Sequence, residues 1–348
     1  MLSLIQRILL TKYEKAHAML SQLNTFLHFI ISETMLVVLA PSDVLRLGLM
    51  LLGFELERMS EESGTLQFHM HYGSSPLDLA DMWYDLTVGD HIPAELQLSI
   101  KEKSEKGFKR FLMTHFWLWA YPKNASMLAS RFMICKRYCR GEHIFKWIMR
   151  VAALKAKKIV WDADSRGMDI FAFSHDGTDF KLQEQKHPVK NRDNTACSQK
   201  MNHGAAKYEV ALSVFRPKCV HIAGPFKGGV HDKTMFWKGG LKEKLKHLNR
   251  EVRGTRRVKL TLVDRGYHTD WKDEQGLFSY PNNFDSKELD NFKSRGRLRH
   301  ETFNGRLKFF SCLSETFRHG FDKHKFVFEA VVVIVQYQMD NGSPIYAV

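Results

Sequence analysis

The sequence predicts an α/β fold, a mixed β-sheet flanked by helices, behind a helical N-terminal region with a helix-turn-helix-like pattern. Three observations carry this. From Ile159 onward, short apolar or alternating runs (IVW, IFAFSHD, DFKLQE, YEVALSVF, CVHIAGPF, VKLTLVD) are separated by Gly, Pro and Asn, the texture of strands and turns. A helical run, DKTMFWKGGLKEKLKHLNREV, interrupts them, and two helices close the chain. The last of these, HKFVFEAVVVIVQYQMD, is apolar nearly all round and is expected to be buried. Before Ile159 the spacing is helical almost throughout.

Taken in order, residues 1–35 look amphipathic and helical, an extension ahead of the main fold. Lys12, Glu14, Lys15 and Glu33 break their apolar character, which fits poorly with a signal peptide. No stretch approaches the roughly 18–20 uninterrupted apolar residues of a membrane span. From Pro41 a helix is expected, with Ser42 or Asp43 as its N-cap. HYGSSPLDLADMWYDL (71–86) reads as a capped turn and a helix whose Asp78, Asp81 and Asp85 have a spacing that could bind metal but is expected to form a solvated acidic face. KEKSEKGFKR (101–110) reads as a charged linker, and three helices follow it. The middle one is short and rich in Ala and Ser; the third carries Lys136, Arg137, Arg140, Lys146 and Arg150. That pattern suits a helix-turn-helix whose basic side chains meet phosphates, and equally a plain helical bundle packed on the later part of the chain. Cys135, Cys139 and His143 share one face of the third helix, as one side of a zinc site or as inward-facing thiols and imidazole.

Charge divides the chain. Of the 348 residues, with a formal net charge of +14, the first hundred carry 5 Lys/Arg against 12 Asp/Glu. Residues 101–160 hold 15 basic against 3 acidic side chains. A basic block of this kind points to a polyanionic partner. The expected units are therefore an acidic helical region (1–100), a basic helical region (101–160) and a catalytic domain (161–348). Five scattered cysteines argue against a disulfide framework and for a reducing compartment.

The chemistry is carried by acids in rigid settings. Asp176 is expected at the end of a strand, in an Asp-Gly turn; Asp264 ends VKLTLVD; Glu301 heads the helical run RHETFNGRLKFF. Two divalent ions about 4 Å apart can activate water, neutralise a phosphate and stabilise the leaving oxygen. Such ions, Mg²⁺ or Mn²⁺, need several carboxylates converging on one spot. Gly177, Gly266 and Gly305 lie near the three acids and leave room for close approach. Asp232, after a Gly-rich turn, is as well placed to cap a helix as to reach the ions, and Asp179 is expected to point away or to cap a turn. Around Glu301 the basic residues Arg295, Arg297, Arg299, Arg306 and Lys308 suit a phosphate-rich strand.

These motifs carry a family likeness. SHDGTDF, KYEVALSVF, GPFKGGVHD, LVDRGYH and RHETFNGRLKFFSCL, in this order, resemble the Harbinger-type transposases of the DDE superfamily and their domesticated descendants. The closing FRHGFDKHKFVFEAVVVIVQYQMDNGSPIYAV and the earlier HYGSSPLDLADMWYDL and WLWAYPKNASMLASRF are similar to other parts of such proteins, so the likeness covers roughly residues 70–348. It implies an RNase H-like fold and a divalent metal cation, Mg²⁺ or Mn²⁺, as cofactor. It also implies DNA strand cleavage followed by joining, in the nucleus. Asp176 and Asp264 match the two catalytic Asp and Glu301 the Glu, with Asp232 a recurrent family position and a further metal ligand. Arg299, Arg306 and Lys308 would steady DNA, with Lys136, Arg137 and Arg140 on the helical region. Arg265 departs from the pattern, which more often has a small or acidic residue there.

An active endonuclease-transposase is the leading expectation. A domesticated, catalytically silent DNA-binding protein is the alternative, and an RNA nuclease on the same fold the third. DNA is the expected partner and a membrane is not; an accessory DNA-binding protein and a second copy of the chain are further candidate partners. KEKLKHLNREVRGTRRVK (242–259) suits a nuclear import signal or the wet face of a helix.

Overall fold

The computed structural model describes residues 38–133, 135–161, 171–183, 196–251, 260–264, 267, 277–281 and 285–346. Expectations for residues 1–35, for the basic run 252–259, and for Arg265 and Gly266 lie outside these.

The helical region is built from locally signalled segments. Helix α1 (Pro41–Leu51) starts on a proline. Helix α2 (Glu61–Tyr72) is capped by Ser60 and ends at Gly73, whose φ of 67° few other residues adopt. Helix α3 (Pro76–Val88) opens with a reciprocal cap between Ser75 and Asp78. Helix α4 (Glu105–Ala120), the short α5 (Ala125–Arg131, capped by Asn124), α6 (Gly141–Ala153) and α7 (Lys155–Lys158) follow.

Three expectations change here. The stretch 101–110 is not a linker: a 3₁₀ turn (Ile100–Glu102) leads directly into α4, and Glu102 accepts two hydrogen bonds from Arg150, at 2.9 and 2.8 Å. The single basic helix is absent, because Lys136–Cys139 form a 3₁₀ turn ahead of α6. Cys135 is consequently exposed while Cys139 is buried beside Met113, so the two do not share a face with His143. The acids of α3 are not solvated either. Asp85 accepts from Tyr337 (2.5 Å) and Lys157 (2.6 Å), and Asp78 and Asp81 accept from Asn341 at 3.2 and 2.9 Å. Their face docks on the end of the chain.

The sheet has five principal strands in the order β4-β3-β1-β5-β6, with the short β2 (Cys197–Ser198) alongside the start of β3. Strands β1 (Phe171–Lys181), β3 (His203–Ser213) and β4 (Cys219–Lys227) are antiparallel. Strands β5 (Leu260–Leu262) and β6 (Phe278–Ser279) continue the sheet in parallel from β1. One face buries Phe173, Ala211 and Val220 against helices α8 (Asp232–Lys238) and α9 (Leu241–Glu251), through Phe236, Leu241 and Leu245. The other face meets α10 (Lys287–Phe309), α11 (Ser311–Ser314) and α12 (Phe321–Asp340).

As expected, α12 is the buried pillar. Its run Val331–Val335 is fully inaccessible, and each such side chain contributes about 1.5–3 kcal/mol by leaving water. A run of β-branched residues would favour a strand by local propensity. It is helical because it is enclosed on every side, by the sheet and by α3, α6 and α7. The same apolar cluster extends from Val44 and Trp83 through Trp147 to Tyr208 of the sheet, so the helical region and the sheet share one core.

Candidate active site

A notch in the sheet creates the site. Strand β1 pairs with β3 from Phe173 to Lys181, but with the shorter β5 only from Phe171 to Ser174. Between Ser174 and Lys181, where Phe317 takes up the pairing, no strand among the described residues covers the β5-facing edge of β1, and a cleft of about 770 Å³ lies along it. Asp176, Asp232, Asp264 and Glu301, which are far apart in sequence, all line this cleft.

Each acid arrives by a different route. Asp176 sits within β1, not at its end, and the expected Asp-Gly turn is absent because pairing with β3 continues through Gly177 to Lys181. Asp264 follows β5 by two residues; since Ser174 is in register with Leu262, the parallel pairing carries Asp264 alongside Asp176. Glu301 lies in the middle of the 23-residue α10 rather than at its head. That helix is fixed to β1 by a hydrogen bond between His300 Nε2 and the Ser174 hydroxyl (3.0 Å) and approaches β5 closely at Gly296, where a Cβ would lie 2.7 Å from Leu262. Asp232 is the first residue of α8, and the cap is His231, whose Nδ1 accepts from the Lys233 N–H. Gly177 makes room for it: a Cβ there would lie 3.0 Å from Asp232 Oδ1 and 2.8 Å from Met235 Cε.

The cleft is electrostatically strained. Burial raises the Asp176 carboxyl to about 6, against the hydrogen bond it accepts from Gly177, and the charges of Asp232 and Asp264 push the same way. Tyr267, buried against His175, has no hydrogen-bond partner for its hydroxyl among the described residues, and burial with the surrounding acids holds it well above the usual phenol range. His300 is buried and held down to about 4, so at neutral pH it is an uncharged support beneath Glu301. Cations answer the acids. Arg297 Nη2 lies 3.5 Å from Asp264 Oδ1, and Lys207 Nζ lies 2.8 Å from Asp232 Oδ1 and 3.8 Å from Asp179 Oδ1.

Lys207 and Asp179 are the residues that sequence reading missed. Asp179 does not point away: it lines the cleft and accepts from the Ser198 hydroxyl at 2.5 Å. The available signal was register, since Asp179 and Lys207 are cross-strand partners on β1 and β3.

The expected DNA-contacting residues divide. Lys308 lines the cleft on the same face of α10 as Glu301 and Asn304, while Lys136, Arg137 and Arg140 are exposed on the 3₁₀ turn and its end. Arg299 is not presented to a strand. It is 1% exposed, and its guanidinium donates to the carbonyls of Val214 and Arg216. Arg306 is turned to the C-terminal tail, donating to the carbonyls of Ser343 and Pro344, and lines a separate hollow.

An oxygen-only donor set suits a hard divalent cation, and the mutual repulsion felt by Asp176 is what such a cation would relieve. As placed, no three His, Cys, Asp or Glu side chains among the described residues are close enough together to hold an ion. The acids share a cleft without forming a closed coordination sphere.

Residues 175–336 match a family described as DDE superfamily endonuclease. The match begins at the residue before Asp176 and includes Asp232, Asp264 and Glu301. This part of the chain is thus similar to a class of nucleases, and its mixed sheet flanked by helices is consistent with that class. No curated protein and no solved structure matches the chain.

Proposed function

We propose that this chain is a metal-dependent DNA endonuclease of the Harbinger transposase type, with an RNase H-like catalytic part, acting by a two-metal mechanism in the nucleus. The observation that carries the reading is the convergence of Asp176, Asp232, Asp264 and Glu301, from four different elements, on one cleft within the segment similar to DDE endonucleases. The passage from antiparallel β4-β3-β1 to parallel β1-β5-β6 supports the fold assignment.

Asp176, Asp264 and Glu301 would hold the ions, with Asp232 as a further ligand. When bound, divalent cations supply charge neutralisation at the phosphate and an activated water or 3′ hydroxyl. The chain's own residues do the rest. Asp176 is fixed by the hydrogen bond its carboxylate accepts from the Gly177 N–H and by the pairing of its β1 segment with β3. Arg297 and Lys308, on the cleft face of α10, are positioned to meet phosphate oxygens. Lys136, Arg137 and Arg140, exposed on the 3₁₀ turn before α6 and at its end, would add phosphate contacts from the helical region.

Nicking of supercoiled plasmid tests the proposal. Wild-type protein nicks with Mg²⁺ or Mn²⁺ and not in chelator, and Asp176→Ala and Glu301→Ala abolish it. The alternative, a silent DNA-binding protein, draws on the pairing of Arg297 with Asp264 and of Lys207 with Asp232, which leaves two acids already countered. Salt-sensitive DNA binding without nicking would favour it.

A further inference from the structure

Lys207 has more contacts than a side chain that merely borders a cleft. It projects from β3, is 13% exposed, and brings its ammonium to acceptors on three segments. These are Asp232 Oδ1 on α8 at 2.8 Å, the Val230 carbonyl in the preceding turn at 3.0 Å, and Asp179 Oδ1 on β1 at 3.8 Å. Two are hydrogen bonds, which take two of the ammonium's three donors, and the third is an ion pair. Asp232 is thereby engaged in the corner of the cleft where Gly177 admits it, while Asp176, Asp264 and Glu301 lie along the same cleft.

An ammonium 2.8 Å from a carboxylate oxygen and a divalent cation on the same carboxylate repel each other strongly in a half-buried site, so the two compete for Asp232. Lysine is also suited to leaving: its charge sits on a flexible four-carbon stem, unlike the planar fork of arginine.

We propose that Lys207 is the resident counter-cation of the acid cleft. It holds Asp232 in the absence of a divalent ion and competes with one for that carboxylate, so it lowers the cleft's affinity for metal. This rests on reading the cleft as a divalent-cation site. Lys207 is thus a positioning residue that acts through Asp232.

Mn²⁺ titration of the full chain by calorimetry, with thermal melts in chelator and in Mn²⁺, tests it on wild type, Lys207→Gln, Lys207→Arg and Asp176→Asn. Removing the competing charge in Lys207→Gln tightens Mn²⁺ binding by about tenfold or more, while lowering the melting temperature in chelator and enlarging its recovery by Mn²⁺. Lys207→Arg keeps a charge that grips carboxylate through two donors, and weakens Mn²⁺ binding several-fold. Should Lys207→Gln fail to fold, the arginine variant decides alone: weaker binding supports the proposal and unchanged binding overturns it. Wild type that binds Mn²⁺, with Asp176→Asn weakened but both Lys207 variants unchanged, overturns the role of Lys207 and leaves the metal reading intact. Absence of Mn²⁺ binding in every variant overturns both.

Discussion

Glu209→Gln should make the protein more stable, by an amount that grows with pH. Glu209 lies on β3 opposite Gly177, fully buried, with both carboxyl oxygens lacking a hydrogen-bond partner among the described residues. It is packed so tightly that a Cβ on Gly239 would lie 2.4 Å from Oε2. The nearest cationic candidate, His221 Nε2, is 3.9 Å away. Burial and the adjacent Lys244, whose Nζ is 3.0 Å from Nδ1, hold His221 down to about 4, so it is neutral. Burial therefore raises Glu209 to about 8, and the charge of Asp232 adds to this. Because its folded value lies above its unfolded one, its stability contribution is complete below the unfolded value and is lost as pH climbs through the folded value. At about 1.4 kcal/mol per pH unit, the loss is roughly 3 kcal/mol by neutral pH and approaches about 5 kcal/mol above pH ~8. Glutamine removes that proton linkage at nearly the same volume. Urea unfolding in chelator from about pH 5 to about pH 9 should show the two proteins converging at the acidic end and separating by these amounts as pH rises. Curves that stay parallel over the whole range would refute a proton held on Glu209.

The other predictions concern packing and charge at named contacts. Gly177→Ala forces its new methyl against Met235 and Asp232, and should cost about 1–3 kcal/mol together with at least tenfold of any metal-dependent nicking. Arg299→Ala should destabilise the fold by roughly 2–4 kcal/mol, seen in the melting temperature, because it strips the buried Val214 carbonyl of its donor and empties the space of a large buried side chain. Lys308→Ala should leave melting unchanged but weaken DNA binding and lower its salt dependence by about one unit in the log–log slope. Arg150→Ala leaves Glu102 without its bidentate partner and should cost about 3 kcal/mol by urea unfolding, a structural role for a residue that the sequence left open to either phosphate contact or bundle packing.

The sequence made the strand texture, the buried final helix and the three distant acids legible because those signals are local or carried by recognisable motifs. What it hid depended on pairing across the chain. SHDGTDF reads as a turn at Asp-Gly, yet β3 supplies a partner through Lys181 and keeps it a strand, and β5 stops early to open the notch. The acids of α3 look like a wet face until Tyr337 and Asn341, some 250 residues later, arrive to use them. Arg299 and Arg306 look like DNA contacts in a basic run; which guanidinium turns inward is set by the carbonyls of 214–216 and 343–344. Register hid Lys207 and Asp179 in the same way.

Anomalous diffraction from crystals of the full chain grown with Mn²⁺ is the most direct measurement. The account predicts manganese in the notch, bound at about 2.1 Å by an Asp176 oxygen, with Asp264, Glu301 or Asp232 completing the sphere. Manganese bound elsewhere while the cleft retains its lysine and arginine partners, at concentrations that support nicking, would contradict it.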